Sequence, residues 1–405
     1  ALNMYLSGIF MYIFVKKLTN NQLAAFTSAI FYLFNPYHLI DVHFRATLGE
    51  STIFTLVPLL LFVITSYIKN RKIIFLVATA LVCQLLFLAH PMVAGIFLII
   101  SFFYTISQIN IKKNFKDVFV ISISLFIGAL GSIYSWISFI LYSPYMFSNP
   151  QPKIFHDTFS NIFYSPWRLG LLFQGPNGEL AYIVGYTQVF VAIIVILTLI
   201  KGWAPKILKS NLVFWLAIFF SILFFMSPLS KFIWQSLPFF SMLQSHRLLL
   251  PIALSTSVLA GYLTIVLSKA KRGKIFIYLL LLITIGYTIL NWGHRRVIPE
   301  IDDFSLRKNI WISTVTEGTT AYFLNNKWAD PNNFWFSELP QKHLEIIEGK
   351  AIIKELERTS IKHSYTVHAE TPLIIQENTL YFPGWSLKNG GTYINIYPGK
   401  RGLIN

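Results

Sequence analysis

Asp41, His43, Arg45 and Glu50 fall within one stretch, NPYHLIDVHFRATLGES (residues 35–51), that follows an apolar run. Two carboxylates, an imidazole and a guanidinium in so short a span could move a proton and hold an oxyanion. If the stretch is helical, Asp41 and Arg45 are separated by one turn and can pair. Arg45 with His43 could hold a phosphate through charge-assisted bonds. Asp41 or Glu50 could act on a sugar hydroxyl, or position a donor, an acceptor or a divalent metal. The plainer reading is a salt-bridged cap at a helix end. Ionisable groups beside apolar runs are costly unless solvated, paired or used, which favours a functional reading.

Two further stretches carry suitable groups. SMLQSHRLLLPIALSTSVLAG (241–261) sets Gln244, His246 and Arg247 at the start of an apolar helix, where Arg247 could join Arg45 on an anionic group or extend its head to water. PWRLGLLFQGPNGELAYIVGYTQ (166–188) offers Arg168, Gln174 and Glu179 in a segment punctuated by Gly and Pro. Such a loop can contact a ligand or simply be wet. His38, His90 and His156 recur near these stretches, but no HxxxH or comparable metal-ligand spacing is present. Walker, GxGxxG and GxSxG motifs are absent too, which disfavours a nucleotide-driven enzyme.

The elements that must position these groups are apolar helices. Of the 405 residues, 55% are hydrophobic and 12% charged, against roughly 25% charged in a soluble domain. Apolar runs at 1–15, 22–40, 51–68, 73–89, 92–108, 118–142, 184–200, 212–227, 248–268 and 275–292 predict about ten membrane helices. The 20 Lys and Arg of residues 1–292 face only 5 Asp and Glu, and 15 of the 20 fall in alternate loops. Lys16/Lys17, Lys69/Arg71/Lys72, Lys112/Lys113/Lys116, Lys201/Lys206/Lys209 and Lys269/Lys271/Arg272/Lys274 would then be cytoplasmic. Asp41, Glu50, Asp157 and Glu179 would face outward, in loops 41–50, 143–183 and 228–247 or beside them. The excess charge lies between apolar runs rather than on a soluble basic face, so it points to lipid headgroups and not to nucleic acid. The single cysteine, Cys83, lies in an apolar run and excludes an intrachain disulfide framework.

From residue 293 the composition becomes that of a soluble domain. SYTVHAETPLIIQ and GGTYINIYP alternate as strands do, predicting a small, mainly β, extracytoplasmic domain over 293–405. The first apolar run is short and would begin outside, which leads to the expectation that the chain is N-terminally incomplete.

NPYHLIDVHFRATLGE resembles the outward motif of the bacterial "6-pyruvoyl-tetrahydropterin synthase-related" integral membrane proteins. LQSHRLLLPIALSTSVLAG is similar to that family's Gln-Phe-x-Trp-Arg helix start, with Ser245 and His246 in place of the aromatic pair and Arg247 kept. GPNGELAYIVGYTQ is like its third loop. LYFPGWSLKNGG (380–391) looks like its Tyr-Pro-Gly-Trp turn, shared with YfhO-like proteins. Such proteins resemble the GT-C glycosyltransferase superfamily. The resemblance implies an α-helical polytopic protein of the bacterial cytoplasmic membrane. It would take a sugar from a polyprenyl-phosphate donor and pass it to an envelope glycan or lipid acceptor on the outer face, with a divalent metal as the one cofactor left open. In GT-C enzymes the base usually sits in the first outward loop, which would lie upstream of Ala1; within this chain the expected catalytic residues are Asp41 and Glu50. His43, Arg45, Arg168, Glu179, His246 and Arg247 are the expected donor and phosphate contacts. The alternative is a transporter, flippase or scaffold for lipid-linked glycans. Helix interiors that are nearly all apolar argue against a polar path through the membrane.

Overall fold

The computed structural model describes residues 1–145, 158–176, 178–236, 243–292, 327–328, 342–399 and 402–405. Lys153, His156 and Asp157 of the 143–183 loop, and most of 293–341, lie outside the described residues. Close contacts divide the chain into two units, Ala1–Ser138 with Gln151–Arg295, and Phe139–Pro150 with Arg296–Asn405. The second unit takes in residues 139–150 as well as the C-terminal stretch set apart by composition.

The first unit is helical: α1 Leu2–Thr19, α2 Gln22–Leu33, α3 Pro36–Leu39, α4 Leu48–Asn70, α5 Ile73–Ala89, α6 Pro91–Gln108, α7 Ile111–Gly131 and α8 Ile133–Tyr142, whose last residues belong to the other unit. Then follow α9 Ser160–Phe163, α10 Tyr186–Ile200, α11 Lys206–Met226, α12 Lys231–Ser236, α13 Leu249–Leu267 and α14 Gly273–Ile289. Among the described residues, five helices are long and apolar enough to cross a membrane, within Leu48–Asn70, Pro91–Gln108, Lys112–Gly131, Lys206–Met226 and Ser245–Leu267. A sixth is counted if α2 and the segment Pro36–Phe44, bent by 49° to each other, form one span. All ten apolar runs of the sequence are helical, but two are interrupted. The 22–40 run breaks at Asn35–Pro36, because Asn35 caps a new helix by accepting from the Tyr37 amide at 3.0 Å and Pro36 takes the first helical position, where its missing N–H costs nothing. The 118–142 run breaks at Gly131–Ser132, where the Ser132 amide and hydroxyl both turn back to the Ala129 carbonyl.

Helix α13 is the axis of the unit, with 89% of its apolar window buried, and α4 follows with 72%. Contact between α13 and α2 is close enough to require glycine. A Cβ on Gly261 would lie 2.2 Å from Ser28 Oγ and 3.0 Å from the Ala24 carbonyl. Side chains such as Leu81, Phe126, Ile193, Leu197 and Leu282 stay exposed on α5, α7, α10 and α14, so the unit is apolar on its outside as well as within.

The described part of the second unit is mainly β. Strand β1 (Leu344–Glu348) pairs antiparallel with β4 (Ile374–Leu380), which pairs with β7 (Leu403–Ile404). Strands β2 (Ala351–Arg358) and β3 (His363–Ala369) form a hairpin. Strands β5 (Leu387–Asn389) and β6 (Thr392–Ile394) form another, closed by Gly390 and Gly391 at φ 53° and 90°. A two-residue turn with positive φ at both positions matches the right-handed strand twist, and glycine adopts it without strain. Arg358 fastens β2 to β4 through Glu377 Oε1 at 2.5 Å and Thr379 Oγ1 at 3.0 Å.

Candidate functional site

The backbone that follows α3, past the break at Asn35–Pro36, builds the site. Beyond Leu39 the helix widens into a π turn, Ile40–Phe44, in which the Arg45 amide reaches back five residues to the Ile40 carbonyl at 2.9 Å. Single π turns are rare and concentrate at functional positions. This one keeps Asp41 and Arg45 on one side, where Arg45 Nη1 donates to Asp41 Oδ1 at 2.6 Å.

Glu50 stands in the first turn of α4, where the helix dipole favours a carboxylate. It is 1% exposed, and three side chains converge on it. Arg45 forks onto it, Nη1 to Oε2 at 3.0 Å and Nη2 to Oε1 at 3.1 Å. Tyr37 donates its hydroxyl to Oε2 at 2.5 Å. Arg247 donates Nε to Oε1 at 3.0 Å from the 3-10 turn Ser245–Leu248 that opens into α13. Tyr37 Oη also accepts from Arg45 Nη1 at 3.0 Å. The cluster thus joins two carboxylates and two guanidiniums with a formal sum of zero. Taking each ion out of water costs several kcal/mol, and only complete pairing offsets that.

Pairing is complete at Glu50 and incomplete at Asp41 and Arg247. Asp41 is fully buried, and its Oδ2 has no hydrogen-bond partner among the described residues. Arg247 makes its side-chain hydrogen bond through Nε, and among the described residues none is formed by its two terminal nitrogens. An acceptor and a pair of donors are therefore unused by the described protein groups. Aromatic rings wall the site: Tyr182 stacks on His246 at 4.3 Å and lies 5.9 Å from the Arg45 guanidinium. Tyr37 lies 6.2 Å from His246, and His43 lies 5.4 Å from Trp292. An apolar recess of about 460 Å³ begins one residue from Glu50, lined by Leu48, Gly49, Thr52 and Leu56 of α4 and Leu85 and Leu88 of α5. A Cβ on Gly49 would meet the Ala89 carbonyl at 2.6 Å.

The sequence-stretch candidates therefore separate. Asp41, Arg45, Glu50 and Arg247 share one network, and His43 and His246 join its aromatic surround. Arg168 and Glu179 are exposed in the loop between Trp167 and Leu180, and among the described residues no hydrogen bond or ion pair links Arg168 to the network. Arg168 and Leu169 hold left-handed φ of 45° and 56°, a conformation that costs roughly 1–2 kcal/mol for each non-glycine residue. Among the remaining histidines, His38 is buried, stacks on Phe54 at 4.0 Å and bonds the Tyr32 carbonyl at 3.2 Å, a packing role. His90 caps α6. Among the described residues no three His, Cys, Asp or Glu side chains gather as metal ligands. Tyr37 was not singled out from the sequence, although it precedes Asp41 and Arg45 at steps of four, on the same helical face. No family model, curated protein or solved structure matches the chain.

Proposed function

We propose that the chain is a multi-pass protein of a bacterial cytoplasmic membrane that moves a sugar from a polyprenyl-phosphate donor to an envelope acceptor on the outer face, as a GT-C-type glycosyltransferase. The observation that carries the reading is the buried network at the helix ends, in which Arg45 joins Asp41 to Glu50 while Asp41 Oδ2 and the Arg247 terminal nitrogens are left open among the described residues. The membrane part is supported by the long apolar helices, by exposed apolar side chains around them and by 15 of the 20 basic residues of 1–292 falling in alternate loops.

In this reading the two carboxylates divide the labour. Glu50, held by three donors, orients Arg45 and Arg247. Asp41 takes the proton from the acceptor hydroxyl as its oxygen attacks the anomeric carbon. The bond from that carbon to the phosphate oxygen breaks, and the electron pair leaves on the polyprenyl phosphate. Arg247, with Arg45, balances the charge that grows there. The recess between α4 and α5 suits the first part of an isoprenoid chain. A transport path is less well supported, because buried Ser255, Thr256, Ser257 and Thr264 of α13 bond back to carbonyls of their own helix and offer nothing to a solute.

Mass spectrometry of surface glycans and glycolipids, from cells with and without the gene, tests the reading. Loss of one defined sugar, restored by wild type but not by Asp41→Asn or Arg45→Ala, is expected. An unchanged glycan profile while the protein is expressed overturns it.

A further inference from the structure

The turn that holds Arg168 is firmly built yet presents its largest apolar group to the outside. Trp167 and Leu172 bridge its two arms. Tyr186 Oη donates to the Gly170 carbonyl at 2.7 Å. Buried Asn291, just beyond α14, donates Nδ2 to the Leu171 carbonyl at 3.0 Å and accepts from the Phe173 amide at 2.8 Å. Three successive residues, Arg168, Leu169 and Gly170, have positive φ. A backbone held in this way fixes where its side chains go, and Leu169 is left 91% exposed. Leu171 of the same turn and Tyr164, whose ring reaches Gly170, are exposed as well.

The surroundings indicate what covers this tip. Trp167, Tyr186, Tyr287 and Trp292 pack around the small buried cluster of Leu39, Ile40, Phe173 and Ile183, at the ends of α2, α10 and α14 that carry few charges. Trp and Tyr gathered at one end of apolar helices mark the level where lipid headgroups meet acyl chains. A cationic residue next to an exposed apolar one suits that level, the guanidinium on lipid phosphate and the Leu among the upper methylenes.

We propose that the Arg168–Leu171 turn is a bilayer anchor: Leu169 enters the outer leaflet interface, and Arg168 pairs with a phospholipid phosphate. The proposal rests on the membrane reading above and is independent of the sugar-transfer reading. It gives Arg168 a role apart from the Asp41–Glu50 network.

The test uses the full chain in phosphatidylglycerol/phosphatidylcholine nanodiscs, with Cys83→Ser to remove the one native thiol. Nitroxide is attached at Leu169→Cys, and separately at Leu197→Cys on the exposed face of α10. Collision with oxygen, which concentrates in lipid, is compared with collision with a water-soluble nickel chelate. Oxygen should dominate at both sites, more strongly at 197. Nickel dominating at 169 with oxygen dominating at 197 overturns the anchor alone, as does protection of 169 from both probes, which would mean that protein covers it. Nickel dominating at 197 as well overturns the membrane reading itself.

Discussion

Arg247 and Glu50 are 197 positions apart in the chain and meet at 3.0 Å, with Glu50 almost wholly out of water. This one contact closes the end of α13 onto the start of α4. Glu50→Gln keeps the shape and removes the charge that balances two guanidiniums. It is expected to destabilise the protein by about 3 kcal/mol, at the low end for a broken buried pair because both arginines retain some exposure. Thermal unfolding in detergent micelles measures it. A double cycle with Arg247→Gln should return a coupling of about 1–3 kcal/mol, and strict additivity would show that the pair contributes nothing.

Tyr37→Phe removes a hydroxyl that serves both Glu50 and Arg45 without opening a cavity. A hydrogen bond to a charged partner contributes about 1.5–3 kcal/mol, so a loss in that range is expected in the wild-type background. In the Glu50→Gln background the loss should shrink to about 1 kcal/mol, the level of a neutral bond. The same loss in both backgrounds would place the effect of the Tyr37 hydroxyl in its bond with Arg45 instead.

Gly261→Ala places a methyl 2.2 Å from Ser28 Oγ. Overpacking of this kind costs about 1–3 kcal/mol, and the melting temperature should fall accordingly. Ser28→Ala in the same chain should return part of the loss, since the Ala24 carbonyl at 3.0 Å remains in the way. No rescue would mean that the helices had separated rather than strained.

In the C-terminal unit, Arg358→Ala leaves Glu377 without its shortest partner. Both groups are partly exposed, so a loss of about 1–2 kcal/mol is expected, seen as faster amide exchange in β2 and β3 than in β1.

Burial, and then the neighbouring Glu377, push the Tyr365 phenol up to about 12. The folded chain therefore keeps a proton that the unfolded chain loses near pH 10. The stability this contributes is complete below about pH 10 and is lost as pH rises towards 12. Amide exchange in β3 should quicken across that window, and Tyr365→Phe should remove the dependence. An identical pH profile in Tyr365→Phe would assign the effect to other groups.

Local spacing made the near half of the site legible. Asp41 and Arg45 are four apart, and their pairing follows from helical geometry alone. Apolar length located the ten long helical runs, because it is a property of the chain itself, but not the short helices α3, α9 and α12. What the sequence hid depends on contacts between distant segments. Nothing near Arg247 says that its partner is a carboxylate rather than a phosphate. Arg168 looked equivalent to the other two arginines, yet Asn291 and Tyr186 hold its loop elsewhere. Tyr37 was overlooked because tyrosines are frequent in a chain with 20 of them, and only its hydroxyl's partners distinguish it. The breaks at Asn35–Pro36 and Gly131–Ser132 were written in residues with ordinary breaking chemistry, but a long apolar run masked them.

The π turn has a meaning for descent. It holds one residue more than an α-helix would use to reach the same point. Removing Val42, His43 or Phe44 would restore regular winding and shorten the step from Asp41 to Arg45 from four residues to three. The bond between Arg45 Nη1 and Asp41 Oδ1 at 2.6 Å would then have to be remade in another geometry. Connecting stretches between helices usually accept gaps and insertions more readily than the helices do. Here the ordering is reversed: among related chains, this short turn should vary in letters while staying fixed in length.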